Sequence, residues 1–227
     1  MTNPDSDGLF DNDWDDCGEL AWTEADWTKY LATQETAVRE YIKHYDQLPA
    51  AIDRIDEAAR RMGWELAEPP EALDEAEDLD SDDAFEGDWD PYTLHRNPVY
   101  ISTRALYVSL ISHWERVAAQ PGRVPPALGI TLQSLLYRGN EQAIHGVQAL
   151  EMGDYTLAVV LFKKALRDLN QTLARLNEPD SSATPLAIRY REYAIPRLFD
   201  LREIWLRVMN ECRQNHSGSN SSNTQSD

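Results

Sequence analysis

Apolar residues recur along most of this chain at steps of three and four, the spacing that places them on one face of an α-helix. Trp27, Tyr30, Leu31, Val38, Tyr41, Ile42, Tyr45 and Leu48 form the first stripe, opened by Thr23 and Asp26 as an N-terminal cap and broken or kinked at Pro49. Ile52, Ile55, Ala59 and Met62 continue it to Gly63. Asn97-Pro98 starts a second major helix that stops before Pro121-Gly122, with Val99, Leu106, Leu110, Trp114 and Val117 on its predicted buried face. A third runs from about Pro126 to Met152, with Leu132, Leu135, Leu136, Ala143, Val147 and Leu150 on one side. Gly139 and Gly146 fall on that side too. Each weakens the helix by about 1 kcal/mol against alanine, so a neighbouring helix is expected to come close there.

Asp154 caps the next helix, whose stripe of Tyr155, Ala158, Val159, Phe162, Ala165, Leu166, Leu169, Leu173 and Leu176 is the cleanest in the chain. Lys163, Lys164, Arg167 and Arg175 are predicted to face away. Thr184-Pro185 opens a last helix, kinked at Pro196, with two apolar stripes. One is Tyr190, Ala194, Leu201, Trp205 and Val208; the other is Ile188, Ile195, Phe199 and Leu206. Both are predicted to be buried between neighbours. With no strand periodicity, the expected fold is an all-α bundle of five to six helices. Residues 1–22 read as an acidic tail, 23–64 as a helical segment, 65–97 as an acidic linker, 98–213 as the bundle core packing with 23–64, and 214–227 as a disordered tail.

Charge changes this picture by being split along the chain. Residues 1–90 carry 28 of the 40 acidic side chains and 6 of the 21 basic ones, while the remainder is slightly basic. A block of like charge repels itself and favours an opposite surface. The net charge of −19 argues against generic binding to DNA or anionic lipid, so no DNA and no membrane partner is expected. The N-terminus has no basic start or apolar run, and no stretch approaches a membrane span, which together place the protein in the cytoplasm. Cys17 and Cys212, near opposite ends, form neither a disulfide framework nor a zinc site.

The acidic segments are punctuated by aromatics. Trp14 and Trp22 interrupt the N-terminal tail, and Phe85, Trp89 and Tyr92 interrupt the end of the linker. Acid for steering with aromatics as anchors is the composition of a segment that docks into a groove, on a protein partner or on the chain's own bundle. The arginines of the last helix, Arg189, Arg191, Arg197, Arg202, Arg207 and Arg213, make that helix the expected internal dock.

Residues 146–169, with Gly146, Gly153, Asp154, Tyr155, Ala158, Phe162, Ala165 and Leu166, resemble the helical hairpin of a tetratricopeptide repeat. The resemblance implies a protein-binding role, and the single copy implies a hairpin set in a bundle. Arg138 and His145 match the Arg-x(4-6)-His spacing of the HEPN family, α-helical bundles that include metal-independent ribonucleases; Arg39 and His44 match it too. That resemblance implies an arginine on the phosphate and a histidine moving the proton of the attacking 2′-hydroxyl. The metal readings are weaker. The Glu40/His44 and Glu141/His145 pairs are spaced i,i+4 rather than the Glu-x-x-His of di-metal bundles, and His113 reads as a packing residue. The Asp11-x-Asp13-x-Asp15 and Asp78-x-Asp80-x-Asp82 runs lack the glycine and glutamate of a calcium loop. The sequence therefore reads as a non-catalytic protein-interaction bundle with no cofactor or metal. The alternatives are a HEPN-like RNA-binding or ribonuclease domain and an acidic decoy for a basic surface.

Overall fold

The computed structural model describes residues 22–48, 53–64, 94–120, 122, 124–179 and 184–222, with side chains to 214 apart from His95. Among them are six α-helices, a 3₁₀ turn at Leu94–Arg96 and no strand, so the all-α bundle is the fold. The helices are α1 (Glu24–Asp46), α2 (Arg54–Arg61), α3 (Pro98–Ala118), α4 (Pro126–Glu151), α5 (Tyr155–Leu176) and α6 (Pro185–Ser222). None is long and apolar enough to cross a membrane.

The helix starts follow their capping chemistry. Thr23 and Asp26 form a capping box, each side chain bonding the other's backbone N–H. Asn97 accepts from Tyr100 N with Pro98 at the first helical position, and Asp154 accepts from Leu157 N. Gly153 takes φ +75° in the α4–α5 turn, where a side chain would be strained.

α4 and α5 pack as an extensive hairpin, α6 lies on α5, and α3 touches α1, α4 and α6. α3 is the centre of the bundle. Its buried face is wider than the predicted stripe, adding Tyr100, Ile101, Thr103, Ala105, Tyr107 and Ile111 to Leu106, Leu110, Trp114 and Val117. Two of the α4 glycines, Gly139 and Gly146, admit rings from two different neighbouring helices. A Cβ on Gly139 would collide with the Tyr107 hydroxyl of α3, and one on Gly146 would sit 3.3 Å from the Phe162 ring of α5.

At four places the structure corrects or refines the picture drawn from the sequence. The start of α1 does not enter the core: Trp27 is 38% and Leu31 51% exposed, and burial begins at Val38. Arg175 does not face away; it is largely covered and pairs with Glu178. The Ser- and Asn-rich stretch after Gln214 is helical as far as Ser222. The second stripe of α6 is not buried between neighbours, and its geometry is described below.

Candidate functional site

α4 carries Arg138 and His145 on one side, but they go to different neighbours. Arg138 Nη2 donates to Asp168 Oδ1 at 2.6 Å and to Gln171 Oε1 at 3.4 Å, both on α5. The Asp168 side chain is 3% exposed, and Arg138 is the cation paired with it there. His145 is exposed and lines a shallow depression with Tyr100, Arg104, Asn140 and Glu141. The arginine sharing that depression is Arg104 of α3, with Asn140 Oδ1 buried beside it and lacking a hydrogen-bond partner. Arg39, of the other Arg–His match, pairs with Glu35 at 2.9 Å. Among the described residues no group of three or more His, Cys, Asp and Glu side chains could hold a metal.

Of the aromatic anchors, Trp22 packs on Trp27 and Tyr30, with ring centroids 4.9 and 5.4 Å away. This surface cluster accounts for the exposed start of α1. Trp14, Phe85, Trp89 and Tyr92 lie outside the described residues, as does the acidic stretch from 65 to 93.

A polar and aromatic cluster joins α1 and α2 to α6. Asp200 accepts from Tyr45 Oη at 2.5 Å and from Arg54 Nε and Nη2 at 3.0 and 2.6 Å. Arg54 also lies over the Tyr45 ring, 4.1 Å from its centroid. Burial and the adjacent Asp200 carboxylate push the Tyr45 hydroxyl well above its ordinary pKa. Next to it Arg197 donates to Asp46 Oδ1 at 2.5 Å and to Tyr193 O at 3.0 Å, and covers the Tyr193 ring at 3.6 Å. His113 of α3 stacks on Tyr193 at 4.2 Å, and Ser109 bonds the Tyr193 hydroxyl. Burial, then Arg116 and Arg197, hold the His113 imidazole below its usual pKa.

Sequence reasoning missed this cluster. Its signal was a charge standing inside an apolar stripe: Arg54 four residues before Ala58, and Arg197 between Tyr193 and Leu201. The cluster also changes the account of the last helix. Arg197 and Arg207 meet Asp46 and Asp56, and Arg191 meets Asn177, so three of the six arginines offered to the acidic linker have partners elsewhere.

The outer side of α6 carries the remaining feature. Tyr190, Ala194, Leu201 and Trp205 fill the core at 0% exposure, while Ile188, Phe199 and Leu206 are 39%, 50% and 41% exposed in line on the opposite side. Ile195 is half-buried among them, and Glu192 and Arg202 stand exposed between them. No protein-family model matches the chain, and neither a curated protein nor a solved structure matches it.

Proposed function

We propose that this protein is a non-catalytic protein-interaction bundle whose docking face is the outer seam of α6. The observation that carries this reading is the line of exposed Ile188, Phe199 and Leu206 on a helix whose other face is already fully used by the core. Isolated apolar side chains on a surface need no explanation, but an aligned row with charges set between them has the pattern of a helix that receives another helix. The acidic residues 1–90 would slow anionic macromolecules and draw basic ones during approach.

The test places a photo-crosslinking residue, p-benzoylphenylalanine, at Phe199 of the full chain in its native cell, with Lys163 as an exposed control position. A discrete polypeptide adduct from position 199, absent from 163, is expected. Equal or no capture at the two positions overturns the reading. Incubation with mixed single-stranded RNA separates it from the ribonuclease alternative: intact RNA is expected, and cleavage abolished by His145→Ala would replace the proposal.

A further inference from the structure

The order of residues along the α6 seam identifies its occupant. Ile188, Glu192, Ile195, Phe199, Arg202 and Leu206 follow one another at alternating steps of four and three, the spacing of a helix–helix seam. The series is symmetric about residue 197. Reversing chain direction exchanges Ile188 with Leu206, Glu192 with Arg202, and Ile195 with Phe199. Apolar positions fall on apolar positions, and the acid falls on the base.

On the reading that this seam is a docking face, we infer that a second copy of this chain covers it, with the two α6 helices antiparallel about a two-fold axis near residue 197. Self-complementarity of this kind is what an isologous dimer requires, because each residue meets the image of its counterpart. In that register Ile188 packs on the partner's Leu206, Ile195 on the partner's Phe199, and Glu192 reaches the partner's Arg202 at two symmetric places. On the flank Arg189, exposed, comes beside the partner's Glu203. A parallel pairing would set Glu192 against Glu192 and Arg202 against Arg202, and is disfavoured by both.

The same charges discriminate against other occupants. An acidic segment meets repulsion at Glu192, and a basic one meets it at Arg202. Only a helix bearing one of each in reverse order satisfies both. From Ile188 to Leu206 the seam is about 27 Å long, which puts the interface at the small end of specific contacts and makes the dimer a weak, concentration-dependent one.

Sedimentation velocity of the full chain over a micromolar concentration series reads the equilibrium directly. Wild type should pass from monomer to dimer. Glu192→Arg and Arg202→Glu should each weaken dimerisation by about tenfold or more, since each converts two attractive contacts into two repulsive ones. The double variant, with the charges exchanged, should return to within about threefold of wild type, and an equimolar mixture of the two single variants should form a heterodimer. Unchanged thermal unfolding by circular dichroism shows that the variants are folded. A chain monomeric throughout the series, or a double variant no better than the singles, overturns the inference. Capture of a different polypeptide at position 199 by a monomeric chain removes the dimer and leaves the docking face standing. Crosslinking of position 199 to residues 65–93 of the same chain also rejects the dimer, and absence of any capture removes both readings.

Discussion

Asp200 is the residue on which the α1–α2 to α6 junction turns. It is the shared acceptor for the Tyr45 hydroxyl and for the Arg54 guanidinium, which is only 7% exposed. Removing it leaves a buried cation and a buried hydroxyl without their partner, so Asp200→Ala should cost about 2–4 kcal/mol in a denaturant titration. Arg207, 45% exposed in its pair with Asp56, should cost under about 1 kcal/mol when replaced by alanine. Equal losses would show that the junction is not held through Asp200. His113 sets a pH dependence. Its folded pKa is lowered from 6.5, so the folded state binds its proton less readily than the unfolded chain does. Its contribution is intact above about pH 6.5 and is lost as pH falls from there through the folded value. The surrounding Arg116, Arg197, Tyr190 and Tyr193 offer no carboxylate to offset the new charge. The melting temperature of His113→Phe relative to wild type should therefore rise as pH is lowered from 7.5 toward 5, and a constant difference would reject the assignment.

At the scale of the elements, the α4 glycines separate space from propensity. A side chain at Gly129 would meet nothing within 4 Å of its Cβ, and Gly129→Ala should stabilise the protein by about 0.5–1 kcal/mol through helix propensity alone. At Gly139 the same gain is opposed by the fully buried Tyr107 ring, and Gly139→Ala should be net destabilising, by about 1–2 kcal/mol. Matching signs for the two variants would mean that Tyr107 relaxes freely. Gly139 and Gly146 show how far the sequence could be read. Their position announced a close neighbour, and the caps at Thr23, Asn97 and Asp154 and the stripe through Phe162 gave helix starts and a core face correctly. Periodicity reports amphipathicity within one helix and carries nothing about how far its neighbours extend. For that reason the stripe through Trp27 and Leu31 does not reveal that α1 enters the core only at Val38, and the second α6 stripe, expected to lie between neighbours, is exposed among the described residues at Ile188, Phe199 and Leu206. Charged residues inside stripes were equally opaque. Arg54, Asp168 and Arg197 are covered because partners on other helices meet them, and pairings across such separations have no local signature.

For the molecule as a whole, the net charge of −19 opposes the bringing together of two copies. The seam contacts act over a few ångströms, whereas this repulsion acts over the Debye length, which falls from about 30 Å at 0.01 M salt to about 8 Å at 0.15 M. Dimerisation measured by sedimentation should therefore strengthen as salt is raised across that range, although ion pairs lie within the interface. Weakening with salt would show that the Glu192–Arg202 contacts outweigh the global field.

The Asp–Arg pairs between α1–α2 and α6 have one more consequence. Asp46 with Arg197, Arg54 with Asp200 and Asp56 with Arg207 join parts of the chain far apart in sequence, and Val38, Tyr41 and Tyr45 add buried contact beside them. The N-terminal hairpin is thus fastened by its side chains, independently of the peptide that leads from residue 64 to residue 94. A protease site engineered into that peptide should yield two fragments that purify as one particle after cleavage. Each half could then be expressed separately and mixed, giving a two-piece protein whose reassembly reports on the integrity of the junction.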